Sequence, residues 1–170
     1  MPITLSIIIA TFNSEKTLPL VLQSIKKQTL PKEKIEILLV DGGSHDKTFE
    51  IAKKFHCKVI NNPKTEPVYA KFLGYLQAKG KYIMYLDHDE VLNNTKSLQK
   101  KINALSSSND IYAVAGSGYI NPPNFSQINY YINEFGDPFS FFIYRLSKDA
   151  RFFINIMKKR YTIKNEANDF

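Results

Sequence analysis

The sequence predicts an α/β fold, with a mostly parallel central sheet and helices on both faces. Three observations predict it. Short apolar runs (Thr4 to Ala10, Ile35 to Val40 and Ile83 to Leu86) alternate with segments of helical spacing, the pattern of a parallel sheet with right-handed crossovers. The runs are rich in Ile, Leu and Val, which suits strands buried on both faces. Each run also ends in polar residues: Thr11 and Asn13, then Asp41, then Asp87 and Asp89. In open parallel sheets ligands bind at the carboxyl ends of strands, near the switch point of strand order.

In chain order, the first strand breaks at Thr11-Phe12-Asn13-Ser14. Thr17 is placed to cap a helix whose first turn tolerates Pro19. Leu18, Val21, Leu22 and Ile25 form its apolar stripe, and Pro31 marks the exit. The second strand ends at Asp41-Gly42-Gly43-Ser44. Phe49, Ala52 and Phe55 line a second helix, and Val59-Ile60 suggests a short third strand. Tyr69, Leu73 and Leu76 line a third helix, with Gly80 as its C-cap. After the fourth strand, Leu98, Ile102 and Leu105 predict a helix, and Ile111 to Ala115 a further strand. No repeat or low-complexity tract is visible.

The chain of 170 residues is long enough for a real core. Its net charge is +7 and its pI about 9.3. That balance favours anionic partners, whether nucleotide phosphates, nucleic acid or an acidic membrane, and does not choose among them. Lone Cys57 excludes an intramolecular disulfide and a Cys-based zinc site, and points to a reducing, cytoplasmic setting. No apolar run approaches the ~20 residues of a membrane span, and no basic n-region precedes the first strand, so no signal peptide is expected.

Tyr82 to Glu90 concentrates the chemistry. In extended chain Asp87 and Asp89 leave on one face, with His88 opposite. Two close carboxylates repel unless a cation or proton lies between them. A hard divalent ion, Mg²⁺ or Mn²⁺, suits the pair and commonly shares its shell with substrate phosphates. The competing reading is a solvated acidic turn. Neither a Gly-x-Gly-x-x-Gly fingerprint nor a Walker-type loop is present, so phosphates would fall to a metal and to side chains.

Four blocks carry a family resemblance. Ser6 to Glu15 resembles the opening strand and loop of family-two glycosyltransferases with the GT-A fold. Asp41 to Thr48 resembles their Asp-Gly-Ser-Ser-x-Asp-Gly-Thr motif, with Gly43 in place of Ser and Lys47 in place of Gly. Ala70 to Gly74 with Ala78 to Ile83 resembles their Ala-Arg-Asn-x-Gly…Ala-x-Gly-Glu-Tyr-Ile stretch, with Lys71 for Arg and Phe72 for Asn. Asp87-His88-Asp89 matches their Asp-x-Asp, followed by Glu90 where Asp is usual.

The resemblance covers roughly the first 120 residues, and implies a nucleotide-sugar-binding domain over 1–120 with a helical, aromatic and basic tail over 121–170. It also implies transfer of a sugar, with inversion, from a nucleoside-diphosphate sugar to a sugar or lipid-linked acceptor in glycan or cell-surface polysaccharide synthesis. Nucleic acid is not a partner on this reading. Asp41 would accept the base N3–H of a uridine-type nucleotide, or else be a turn residue. Thr11, Asn13 and Glu15 would line the nucleoside pocket, Asn13 and Glu15 alternatively capping the helix entry. Lys71 would reach base or diphosphate, or else sit on a solvated helix face. Asp87 would contact ribose and metal, and Asp89 the metal. His88 is read as a bystander.

A nucleotidyltransferase that makes nucleotide-sugars is the first alternative, although its Gly-rich signature is missing. A non-catalytic nucleotide-sugar or membrane-binding module is the second. Glu134 and Asp137 are the weak candidates for the general base. Their surroundings do not match the family's base motif, and an incomplete acceptor half with slow transfer is the expectation. Residues 140–164 interleave aromatics with Arg and Lys. They suit either a peripheral contact with the inner face of a membrane or a helix packed on the protein with its basic residues in solvent.

Overall fold

Leu5 to Ile9 are buried in succession because β1 (Leu5–Thr11) runs through the middle of a sheet covered on both sides. The computed structural model describes residues 2–114 and Gly116. The chain divides into two units, Met1–Tyr112 and Ala113–Phe170, and the fold below is that of the first. β1 pairs in parallel with β2 (Ile35–Asp41) on one side and β4 (Tyr82–Tyr85) on the other. β3 (Lys58–Asn61) joins the outer side of β2, giving the order β3-β2-β1-β4. Successive connections run outward from β1 to β3 and then return to its far side. The switch point therefore lies between β1 and β4.

The period of two along β1 sorts its side chains between two apolar layers. Leu5, Ile7 and Ile9 pack with Leu39 and with helices α1 (Leu18–Lys26), α2 (Thr48–Lys54) and α4 (Ser97–Ser106) through Leu18, Val21, Leu22, Ile25, Ala52, Leu98 and Ile102. Ile8 packs on the other face with Leu38, Val40, Ile60 and Ala70 of α3 (Pro67–Gln77). Each fully buried Ile or Leu contributes about 1.5–3 kcal/mol.

The elements differ from the sequence reading where close packing selects small residues. In α3 the buried residues are Ala70 and Gly74, while Leu76 is 61% exposed. A Cβ at Gly74 would stand 2.4 Å from Ile8 Cγ2, so the helix lies too near β1 for a larger side chain. In α2 the buried residues are Thr48 and Ala52, and Phe49 is exposed. Gly80 is not the C-cap, a position held by Ala78. A Cβ at Gly80 would stand 2.5 Å from Ser6 N, so this glycine answers to a backbone passing beside it. β4 alternates between half-buried and exposed residues instead of being buried throughout. Ile111 to Val114 form no strand, and Ala115 lies outside the described residues.

Candidate functional site at the strand ends

β1 and β2 end in register, with Thr11 opposite Asp41. The Thr11 hydroxyl donates to Asp41 Oδ1 at 2.9 Å, and the Ser44 hydroxyl donates to the same oxygen at 2.6 Å. Oδ2 accepts the backbone N–H groups of Gly43 at 3.0 Å and Ser44 at 2.8 Å. A carboxylate offers about four lone-pair sites, and here four donors occupy them. Asp41 thus folds its own loop into an anion-centred turn. Gly43 completes it at φ +89°, where a side chain would be strained.

A second clasp joins the loop after β1 to the loop after β2. Asn13, at φ 47°, accepts the His45 N–H on Oδ1 and gives its own N–H to Ser44 Oγ. Glu15 Oε2 accepts the Lys47 N–H, and the Glu15 N–H donates to Asp46 Oδ2. Buried Thr48 donates its hydroxyl to Asp46 Oδ1 and accepts the Ser14 N–H. Burial pushes the Asp46 carboxyl up, but the hydrogen bonds from Thr48 and Glu15 outweigh it and hold the group below its ordinary range. Asn13 and Glu15 therefore fasten this loop; neither caps α1.

Beside this floor, Phe12 is 47% exposed. A Cβ at Gly42 would meet Thr65 Cγ2 at 2.9 Å and Phe12 Cδ2 at 3.5 Å. Thr65 holds a left-handed φ of 60° and donates its hydroxyl to the Gly42 carbonyl. Gly42 is thus the narrow point of a wall made by Phe12 and Thr65. Sequence reasoning assigned a role to neither, although an aromatic directly after a polar strand end was a signal available for Phe12.

After β4, Leu86 is buried and the chain then turns, with the Glu90 N–H donating to the Asp87 carbonyl at 3.1 Å. His88 and Asp89 form the corners of that turn. The one-face arrangement of Asp87 and Asp89 expected for extended chain is replaced by this turn geometry. Lys71 Nζ pairs with Asp87 Oδ1 at 3.0 Å, which brings together two residues the sequence reading had assigned to one ligand. His88 Nδ1 lies 3.1 Å from the Thr17 hydroxyl. Thr17 stands at the N-cap of α1 but makes no side-chain cap bond there.

Residues 6–162 match the family model described as Glycosyl transferase family 2. The chain belongs to that family. Among its relatives is the poly(ribitol-phosphate) β-N-acetylglucosaminyltransferase TarS of Staphylococcus aureus, 32% identical over 94 residues. Those residues are 52% of this chain and 16% of TarS. A dolichyl N-acetyl-α-D-glucosaminyl phosphate 3-β-D-2,3-diacetamido-2,3-dideoxy-β-D-glucuronosyltransferase of Methanococcus voltae is 35% identical over 109 residues, or 56% of this chain and 34% of the relative. The crystal structure of S. aureus TarS 1-349 in complex with UDP superposes with a TM-score of 0.55 and 30% identity, over 58% of this chain and 30% of that one. The mannosyltransferase PcManGT of Pyrobaculum calidifontis, in complex with GDP-Man and Mn²⁺, shares the fold at a TM-score of 0.57 and 18% identity, over 62% of this chain and 34% of that one. The chain therefore spans about a sixth and about a third of the lengths of these two relatives.

For a glycosyltransferase family 2 chain the acidic turn is the place to ask whether a divalent ion fits. Asp87 and Asp89 are both exposed oxygen donors beside the switch point, a donor set suited to Mg²⁺ or Mn²⁺. No group of three or more His, Cys, Asp or Glu side chains converges among the described residues, so the remaining ligands would come from substrate phosphate and water. Burial pushes the Cys57 thiol up to about 12, which leaves no thiolate at neutral pH. No described helix is long and apolar enough to cross a membrane. Glu134, Asp137 and the stretch 140–164 lie outside the described residues.

Proposed function

We propose that this chain binds a nucleoside-diphosphate sugar, of the uridine type by preference, together with Mg²⁺ or Mn²⁺. It transfers the sugar with inversion to a sugar or lipid-linked acceptor, in glycan or cell-surface polysaccharide synthesis. One observation carries the reading: Thr11, Asp41 and the Asp87–Asp89 turn end three parallel strands on both sides of the switch point. The family and the named activities of its relatives support it.

In the reaction the acceptor oxygen attacks the anomeric carbon, and the bond from that carbon to the diphosphate oxygen breaks. A bound divalent ion would neutralise charge on the departing diphosphate. The chain's own part is to hold the donor still. The Asp41 loop shapes the nucleoside floor, and exposed Phe12 offers the base a face to stack on. Lys71 stands where an ammonium group can meet phosphate. Asp87 and Asp89 would hold the ion, and the acceptor's proton passes to a base for which Glu134 and Asp137 are the candidates. Peripheral attachment at the inner face of the membrane, through 140–164, would bring a lipid-linked acceptor within reach.

Calorimetry with UDP, with and without Mn²⁺, tests the donor half. Micromolar binding that needs the ion is expected, and loss of that dependence in Asp89→Ala. Ion-independent binding, or an Asp89→Ala variant that binds like the unaltered chain, sinks the metal assignment. Turnover of radiolabelled sugar separates a transferase from a non-catalytic binding module.

A further inference from the structure

Helix α1 carries a polar line that packs against the acidic segment. Thr17 stands at its N-cap, Ser24 lies within it, and Gln28 follows just beyond its end. These positions are seven and four apart, which places them on one stripe of a helix. Each meets the stretch after β4. The Thr17 hydroxyl lies 3.1 Å from His88 Nδ1. Ser24 Oγ accepts the Leu92 N–H at 3.1 Å. Gln28 donates to the Asn94 carbonyl at 3.0 Å and accepts the Leu98 N–H at 3.1 Å. Ser24 and Gln28 are buried, although both are polar.

Thr17 already has helical backbone angles, φ −101° and ψ −40°, whereas a capping residue is extended. Its hydroxyl makes no cap bond and meets the ring held at the corner between Asp87 and Asp89. Leu86 anchors the segment by burial at its start, and Leu92 packs against the same core further on. His88 is where α1 grips the turn between those anchors.

We propose that Thr17, Ser24 and Gln28 form a seam that sets the position of the acidic turn, with Thr17 acting as a positioning residue for Asp87 and Asp89 through His88. The consequence for metal binding rests on the reading given under the proposed function. A partner bonded to a ligand itself typically changes metal affinity about 10–100-fold when removed; Thr17 bonds the residue between the two carboxylates, so its effect is smaller.

The test uses the full chain with Thr17→Val, Thr17→Ser and, as a control, Asp89→Ala. Mn²⁺ affinity in the presence of UDP is read by electron paramagnetic resonance, and amide exchange at Glu90 and Leu92 is read without metal. Thr17→Val should weaken Mn²⁺ binding by less than the ~10-fold of a partner bonded to a ligand and speed exchange at both amides, with its melting temperature held. Thr17→Ser should restore both. Wild-type Mn²⁺ affinity in Thr17→Val, alongside loss of binding in Asp89→Ala, overturns the proposal. Should Asp89→Ala bind Mn²⁺ normally, the metal reading itself fails. The exchange rates then decide the seam alone, with equal rates in Thr17→Val and Thr17→Ser counting against it.

Discussion

Asp41 is the residue whose role the geometry alters most. Its four lone-pair sites are filled from within the loop, so a base N3–H reaches Oδ1 only if a donor yields. Two of the donors on Oδ1 are hydroxyls, of Thr11 and Ser44, and that of Ser44 can rotate away at a net cost of about 0.5–1.5 kcal/mol. Uridine carries the N3–H and cytidine does not. Ser44→Ala should therefore widen the preference for UDP over CDP by about 2–10-fold, measured by calorimetry. An unchanged ratio would mean that Asp41 shapes the pocket without reading the base. Lys71 gives a second residue-scale expectation. Its pair with Asp87 is partly exposed and worth about 0.2–1 kcal/mol. Lys71→Met should raise Mn²⁺ affinity in the absence of nucleotide, because Asp87 loses a competitor, and lower UDP affinity in its presence. Movement of both in one direction would contradict this placement of the ammonium group.

At the scale of elements, glycines mark where strands and helices meet too closely for side chains. Gly74→Ala drives a Cβ into Ile8 at the centre of β1, and overpacking of that kind costs about 1–3 kcal/mol. Chemical denaturation should show the loss, and a stability equal to the unaltered chain would mean that α3 can slide. The clasp around Asp46 adds a pH dependence. Its folded-state pKa lies below the ordinary 3.8. The stabilisation is fully present above that value and drains away as pH falls through the lower one. The gap in melting temperature between the unaltered chain and Asp46→Asn should hold from pH 7 to 5 and close in acid. The same elements show what the sequence made legible. The α1 stripe, the parallel sheet and the polar strand ends Thr11, Asp41 and Asp87 follow from local periodicity and the alternation of strands with helices. The buried faces of α2 and α3 do not, because Thr48, Ala70 and Gly74 carry little apolar signal and are chosen by neighbours far along the chain. Nor do the Thr17–His88 contact and the Asp41–Ser44 turn, since hydrogen-bond partners are fixed by three-dimensional approach.

For the whole molecule the relevant quantity is net charge, +7 at neutral pH. A nucleoside diphosphate is a compact polyanion, so this field draws it in from beyond contact distance. Screening shortens that reach, with a Debye length of about 10 Å at 0.1 M salt and about 3 Å at 1 M. The contacts proposed at Lys71, Asp87 and Asp89 act at ion-pair distances and are screened far less. Long-range attraction changes how often the ligand arrives, while short contacts set how long it stays. Stopped-flow binding of UDP with saturating Mn²⁺ should therefore show an association rate that falls steadily between about 0.05 and 1 M salt. The dissociation rate should stay nearly constant. Lys71→Met should do the opposite, raising dissociation at every salt concentration with a small effect on arrival. A dissociation rate that climbs with salt in the unaltered chain would place the nucleotide in a loose surface field, away from the strand-end site.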